Sequence, residues 1–362
     1  TGDVILMGPQ ALPASSEESE NELCDLAGLA DFSSSEDEGD ANWSTSVDWK
    51  ATALMLRERG FAFVDSAASQ KLASTLSAEV VSLHEAELLE GSPNALATER
   101  DDASGVTTRR ALLAKRGVGE LNLHLEGTPC VSTPTHVAAR QLCPTLRDFS
   151  HEAATELGRL LSRGGLPHLE VDEVKAQAQC PPGCFPCHFD TTAESPRVLT
   201  AILYLNKDWR AEDAGEIRML PLRGDTTTIE PLFNRLVLFS STDMLHCTLP
   251  TTKFRHCVSF WYGHAREQYK TQQQQDLCEP ARVFAKLDLN TRRSLAKLVH
   301  EAEYAASFKR AFDASDDLSA ALSLDKRLTD AAKSKVSPKL KELAHDKFAC
   351  VSCKQTTGPC VV

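Results

Sequence analysis

No stretch of this 362-residue chain approaches the roughly 18 consecutive apolar residues that a membrane-spanning helix needs. A basic segment followed by an apolar one, the mark of a secretory leader, is also missing. The chain opens on Thr1 and not on methionine, so a segment upstream is expected. Cys360-Val-Val at the other end is one residue too short for a prenylation box. Residues 1–46 lack lysine and arginine altogether and hold eleven acidic residues. The formal charge of −12 is therefore a property of this tail, because the rest carries 40 acids against 39 bases. A near-neutral body has no basic groove to hold a phosphate backbone, which argues against nucleic acid as a partner.

Hydrophobic residues make up 42% of the chain, enough for a real core, so twelve cysteines read as reduced thiols and not as a disulfide scaffold. That points to an intracellular protein, cytoplasmic or nuclear. The acidic, serine-rich run Ser33-Ser-Ser-Glu-Asp-Glu38 cannot build a core, and residues 1–46 read as a disordered tail. Leu23, Leu26, Leu29 and Phe32 recur within it at spacing three. They are either incidental apolar residues or a short partner-binding helix, with Ser33 to Ser35 open to phosphorylation.

Order is expected from Val47. Trp49 to Arg59 has helical character and stops at Gly60, and Phe61-Ala-Phe-Val64 is a short strand. Ser66 is expected to cap a second helix running to about Leu89, with Leu72, Leu76, Val80, Leu83 and Leu88 as its buried stripe and Gly91-Ser-Pro93 as its breaker. Arg109–Val118 and Leu121–Leu125 suggest short strands, and Pro144–Arg163 an amphipathic helix ended by Gly164-Gly165. Five short apolar runs follow between turn residues: Val171–Cys180, Val198–Leu205, Glu216–Leu220, Leu236–Phe239 and Cys257–Tyr262. Such a series fits a β sandwich or a jelly roll, and the pattern does not choose between them. Residues 265–362 return to helical periodicity over Ala281–Leu287, Thr291–Phe312, Leu318–Ser334 and Pro338–His345, with Asn290 or Thr291 as the cap of the longest helix.

The chemistry concentrates around Cys184-Phe-Pro-Cys-His188-Phe-Asp190. In an extended strand His188 and Asp190 share a face and can reach one metal ion together. His246 follows the strand-like run Leu236–Phe239 and is the best third ligand. Two histidines and a carboxylate with open positions form the set used by non-haem Fe(II) oxygenases. Arg255 opens the last apolar run nine residues on. A buried arginine there calls for an anion, and a dicarboxylate cosubstrate would supply one. The spacing Cys180-x3-Cys184-x2-Cys187 offers a rival, an iron–sulfur cluster or a structural zinc, but a barrel of alternating strands and helices does not follow it. Thiols this near a metal also suggest redox sensitivity. Cys350-x2-Cys353 has no second pair to complete a zinc site.

These residues resemble a family. From about Val47 to Tyr262 the chain is similar to the prolyl 4-hydroxylase-like Fe(II)/2-oxoglutarate dioxygenases, closest to the soluble oxygen-sensing prolyl hydroxylases. Ile202-Leu-Tyr-Leu-Asn-Lys-Asp-Trp209 carries most of the likeness, with Gly215, Arg218, Pro221, Ile229-Glu-Pro-Leu-Phe233 and Phe260-Trp-Tyr262. Arg59-Gly-Phe-Ala-Phe-Val-Asp65 and Leu83-His84 add a weaker match. The resemblance implies a double-stranded β-helix (jelly roll) core with supporting N-terminal helices; with the helical periodicity of residues 265–362 the expected fold is α+β with a helical C-terminal extension. The corresponding division is a tail over 1–46, a dioxygenase domain over 47–264 and the extension over 265–362.

By position the resemblance gives His188, Asp190 and His246 to Fe(II), and Arg255 with Tyr204 to the far carboxylate of 2-oxoglutarate. It sets Ser259 beside the cosubstrate, and Arg197 and Trp261 at the substrate rim. Pro181 falls where relatives carry a pocket-lining tyrosine, and Ala214 replaces the first glycine of a Gly-Gly pair. The implied reaction hydroxylates a protein side chain, proline first, consuming O2 and releasing succinate and CO2, with ascorbate as a stimulant. Two other readings stand beside it: a catalytically silent jelly-roll binding module, and a dioxygenase of small molecules. The implied partner is a proline-containing protein or peptide. The tail or the C-terminal helices are candidate surfaces for another protein, and no membrane is involved.

Overall fold

Asp48 starts helix α1 (Trp49–Arg59) by accepting the amide of Ala51 at 2.9 Å, and Gly60 ends it in the left-handed region at φ 83°. Strand β1 (Phe61–Val64) follows at once. The computed structural model from which this fold is described covers residues 42–125, 134–191, 197–222, 224–264, 287–334, 336 and 338. Residues 1–41 of the acidic tail, Pro338–His345 beyond its first residue, Cys350, Cys353 and nearly all of Ala281–Leu287 lie outside the described residues. Order begins before Val47: Trp43, assigned to the tail, is buried in the main core and its Nε1 donates to the Ala153 carbonyl at 2.7 Å. All described residues fall in one compact unit spanning 40–362.

Helix α2 (Gln70–Glu85) is capped by Ser69, whose hydroxyl accepts the Leu72 amide at 3.3 Å, and not by Ser66, which sits in the preceding turn at φ 53°. The helix also stops short of Leu89. Glu87 turns left-handed at φ 56° and the Leu88 amide folds back to the Leu83 carbonyl at 3.0 Å, closing the last turn. Gly91-Ser-Pro93 lies inside β2 (Glu90–Arg100), which pairs antiparallel with β3 (Thr107–Leu125). The two short strands expected over 109–125 are thus one strand. Its alternation is hard to read because much of the hairpin is solvent-exposed and its register shifts at several points. Within β3, Gly117 has φ +59°, and a Cβ there would lie 2.4 Å from the Cys180 carbonyl oxygen.

Helix α3 (Pro134–Leu142), unannounced by the sequence, leads into α4 (Pro144–Arg163). Cys143 at the start of α4 offers no side-chain cap. Glu79 of α2 takes that role: its carboxylate accepts the amides of Thr145 and Leu146 at 3.1 and 2.6 Å. An anion at a helix N-terminus satisfies two otherwise free donors and meets the positive end of the helix dipole.

The remaining strands are β4 (Leu169–Gln179), β5 (Arg197–Tyr204), β6 (Ile217–Leu220), β7 (Thr227–Ile229), β8 (Leu236–Ser240), β9 (Leu245–Thr248) and β10 (Arg255–His264). Seven strands form an antiparallel sheet in the order β1-β8-β5-β10-β4-β3-β2, and β7-β6-β9 form a second sheet. Such a pair of sheets is the jelly roll expected from the resemblance. The three-residue β7 and four-residue β9 are not among the strands expected from the sequence.

Side chains on the large sheet alternate between two interiors. Val174, Ala176, Leu203, Val258, Phe260 and Tyr262 join Leu56, Leu76, Val80, Leu83, Leu146, Leu157 and Leu161 of α1, α2 and α4 in the main core. Tyr204, Val237, Phe239 and Cys257 face the small sheet and pack with Ile217 and Met219. Both faces of the central strands are buried, so their composition is nearly continuous in apolar residues.

The outer face of the small sheet is covered by the C-terminal helices. Thr291–Phe312, expected as one helix, is two: α5 (Leu289–Val299) and α6 (Glu301–Ala311), separated at His300, whose Nε2 lies 2.8 Å from the Pro221 carbonyl. Asp288, and neither Asn290 nor Thr291, caps α5 through the Thr291 amide at 3.0 Å. Helix α7 (Asp316–Ser334) completes the extension. Leu220, Leu245, Cys247 and Cys187 pack with Ala296 of α5, while Cys184 packs with Phe308, Ala311, Phe312 and Leu318. Glu303 of α6 sits between Arg218 at 3.0 Å and Arg310 at 2.5 Å.

Replacing Glu79 by alanine removes the cap of α4. The expected cost is about 1–2 kcal/mol, read as a fall of a few degrees in melting temperature, with Glu79→Gln recovering part of it. Equal melting temperatures for Glu79→Ala and wild type in calorimetry refute this role.

Candidate active site

His188 and His246 are brought together by main-chain pairing. The His188 amide donates to the His246 carbonyl at 2.9 Å and the His246 amide to the His188 carbonyl at 3.2 Å. The residues on either side, Cys187 and Cys247, then point outward to the helices while both imidazoles point inward. Asp190, two residues beyond His188, points inward as well. Its Oδ1 lies 3.1 Å from His188 Nε2 and 3.7 Å from His246 Nε2. One ligand atom from each of the three residues falls within 4.8 Å of the others.

Each ligand is held by its far atom. His188 Nδ1 lies 2.8 Å from the Pro186 carbonyl and His246 Nδ1 lies 3.1 Å from the Met244 carbonyl. A carbonyl only accepts, so each Nδ1 carries a proton and each Nε2 is turned to the common point. Asp190 Oδ2 accepts from the Thr200 hydroxyl at 2.6 Å and from Trp261 Nε1 at 3.0 Å, leaving Oδ1 for the centre. Burial disfavours the Asp190 carboxylate, but His246, His188 and Thr200 outweigh it and hold the carboxyl well below its usual range. Burial, reinforced by His188, pushes His246 down to about 4, so it is a neutral ligand near pH 7. Burial also opposes charge on His188, but the contact with Asp190 raises it.

A cleft opens beside these three residues, which line it. Arg255 is only 2% exposed, and its Nη2 donates to the Tyr204 hydroxyl at 3.0 Å with the guanidinium 4.7 Å from that ring. Among the described residues its Nε has no partner, and no carboxylate forms an ion pair with it. A buried guanidinium so placed is stabilised by an anion entering the cleft. Burial pushes Tyr204 up to about 12 even though Arg255 opposes it, so the phenol keeps its proton as a donor. Gly215, at φ +74°, gives Arg255 room: a Cβ there would lie 3.3 Å from Arg255 Cδ.

Of the other residues singled out by the resemblance, Ser259 lines the cleft and donates to Gln177 Oε1 at 2.6 Å. Arg197 lines it too, bound to Asp172 at 2.8 Å and to Glu173, and stacked 4.7 Å from Trp261. Trp261 makes its polar contact with Asp190, so this indole buttresses a ligand as well as facing the cleft. Pro181 is exposed, and Gln177 and Gln179 of β4 form the wall instead.

Cys184 and Cys187 are buried against the helices, and Cys180 Sγ lies 3.4 Å from His84 Nε2. The cysteines support the contact between sheet and helices, while Phe185 between them lines the cleft. Among the described residues the one grouping of metal-ligating side chains is His188, Asp190 and His246. Sequence reading passed over Thr200, Gln177, Gln179, Glu120 and Lys115. A signal existed for the β4 wall: Lys175, Gln177 and Gln179 recur at period two in a buried strand, which marks a polar inner face.

A jelly roll that closes two imidazoles and one carboxylate around one point, with open positions toward a cleft, is the architecture of non-haem iron oxygenases. Residues 176–263 match the family model of the 2OG-Fe(II) oxygenase superfamily. Mouse prolyl hydroxylase EGLN3 is 31% identical over 129 residues, which are 34% of this chain and 50% of that protein. Human Egl nine homolog 1 is 36% identical over 100 residues, covering 26% of this chain and 24% of that protein. The chain thus spans at most about half the length of these relatives. A solved prolyl 4-hydroxylase of Phytophthora capsici superposes with a TM-score of 0.56 at 23% identity, over 86% of this chain and 99% of its own, a likeness of fold. Residues 176–263 thus match a 2OG-Fe(II) oxygenase domain, a family of oxidoreductases, and the chain is similar to prolyl hydroxylases over about a third of its length. The family's Fe(II) and 2-oxoglutarate fit the residues present: a two-histidine, one-carboxylate donor set and a buried cation without a carboxylate partner among the described residues.

Trp261→Phe keeps the ring and deletes the hydrogen bond to Asp190. Divalent-metal affinity, followed by Mn(II) titration, is expected to fall by about 10- to 100-fold. An unchanged affinity removes Trp261 from the support of the site.

Proposed function

We propose that this chain is an Fe(II)- and 2-oxoglutarate-dependent dioxygenase that hydroxylates a protein side chain, with proline as the first candidate and succinate and CO2 as coproducts. The observation that carries the reading is the shared cleft of the His188–Asp190–His246 centre and the buried Arg255–Tyr204 pair. His188 Nε2, His246 Nε2 and Asp190 Oδ1 hold the metal, which supplies O2 activation and C–H oxidation when bound. Arg255 and the Tyr204 hydroxyl grip the far carboxylate of 2-oxoglutarate and set its distance from the metal. Thr200 and Trp261 keep Asp190 turned.

The choice of proline rests on the prolyl hydroxylases among the relatives. Oxygen sensing and stimulation by ascorbate come from the same resemblance. A cytoplasmic or nuclear setting is supported by six cysteines that are free thiols among the described residues.

The test is Fe(II)-dependent conversion of 2-oxoglutarate to succinate by the purified full chain. His246→Ala is expected to abolish it, and Arg255→Ala to raise the 2-oxoglutarate requirement by about one to two orders of magnitude. Absence of turnover by a metal-loaded wild type, or turnover surviving His246→Ala, overturns the reading. A search for protein residues heavier by one oxygen, wild type against His188→Ala, tests the substrate class.

A further inference from the structure

The cleft holds four cations with unequal partners. Arg197 has Asp172 and Glu173, and Lys175 has Glu173 at 3.4 Å and Glu120 at 3.7 Å. Arg255 is the cation assigned above to the far carboxylate of 2-oxoglutarate. The fourth, Lys115 of β3, has no such partner. Its Nζ donates to the neutral Asn94 Oδ1 at 3.2 Å and lies 4.4 Å from the centre of the Phe185 ring. Among the described residues no carboxylate stands within ion-pair distance of it. Glu120, whose charge it feels most strongly, is taken by Gln177 Nε2 at 2.7 Å and by Lys175.

Lys115 is half-buried on the cleft wall, and its charge and that of the His188–Asp190 pair act on one another. Phe185, the ring beneath it, lies 6.1 Å from the His188 ring and stacks on it. The ammonium is thus held on the His188 side of the centre. Burial is the largest influence on this amine and lowers it to about 8, partly offset by Glu120. A half-desolvated ammonium resting on an amide oxygen and a ring face has donors to spare, since –NH3+ carries three. A carboxylate entering the cleft would supply what the wall does not.

We infer that Lys115, steadied by Asn94 and Phe185, is a second carboxylate-binding position of this cleft, distinct from Arg255 and next to the metal centre. The inference rests on the dioxygenase reading and adds a specificity-determining residue to it. Two carboxylates can occupy the position. One is the keto-acid end of 2-oxoglutarate, and the other is an acidic residue beside the reacting residue of the substrate.

The full chain loaded with Mn(II), without O2, distinguishes them. In the first arm 2-oxoglutarate and 2-oxopentanoate, which lacks the far carboxylate, are titrated by calorimetry. If Lys115 holds the keto-acid end, Lys115→Met weakens both ligands roughly tenfold or more, whereas Arg255→Met weakens only 2-oxoglutarate. In the second arm acetyl-Asp-Pro-amide and acetyl-Asn-Pro-amide are compared by Mn(II)-induced line broadening with 2-oxoglutarate present. If Lys115 holds a substrate carboxylate, wild type broadens the Asp peptide more, Lys115→Met abolishes the preference, and Lys115→Arg keeps it.

Lys115→Met that leaves both keto acids unchanged, together with equal broadening of the two peptides by wild type and variant, overturns the proposal. The dioxygenase reading survives that outcome when Arg255→Met still weakens 2-oxoglutarate. Failure of wild type to bind 2-oxoglutarate removes both. Melting curves of Lys115→Met and Lys115→Arg separate lost binding from lost folding.

Discussion

Two main-chain hydrogen bonds between His188 and His246 organise the molecule. They join segments 58 residues apart and make an antiparallel pair at the edge of the small sheet. Because side chains alternate along extended backbone, that one pairing turns both imidazoles inward and both neighbouring cysteines outward. A slip of one residue would exchange the two sets, placing thiols at the centre and imidazoles against the helices. The register is secured from outside by the packing of Leu220, Leu245, Cys187 and Cys247 with α5. It is secured from inside by Phe239, whose ring centre lies 4.4 Å from that of His246.

The same alternation explains how a strongly charged cleft is kept within an apolar body. Along β10, Val258, Phe260 and Tyr262 enter the core under α1, α2 and α4, while Arg255, Ser259 and Trp261 face the cleft. Each polar side chain on the inner face has been given something to hold: Arg255 has Tyr204, Ser259 has Gln177, Trp261 has Asp190 and Gln177 has Glu120. In low dielectric such bonds are strong and an unmade one is costly. The incomplete members, Arg255 Nε and the amine of Lys115, therefore carry the clearest information about what enters.

Much of this was legible in the chain itself because it depends on short-range geometry. His188 and Asp190 at spacing two, Gly60 after a helical run, and a sequence of short apolar segments all report local structure directly. What escaped depends on distant contacts. Ser66 and Ser69 look alike as caps, and only the turn at φ 53° separates them. Nothing local marks Glu79 as the cap of a helix 65 residues later. The division of α5 from α6 follows from a contact between His300 and Pro221 on another element. The resemblance puts Trp261 at the substrate rim, but its bond to Asp190 needs both strands in place.

The helical extension reaches the metal centre from behind. Arg293 of α5 donates to the Thr242 and Thr191 carbonyls at 3.3 and 3.1 Å and lies 5.0 Å from the Phe189 ring, between the two metal-ligating residues His188 and Asp190. Ser307 of α6 accepts the amide of Cys187 at 2.8 Å, one residue before His188. The thickness of a single strand separates these contacts from the imidazoles. Removal of the extension would therefore strip main-chain supports from both sides of the ligand segment as well as its outer packing.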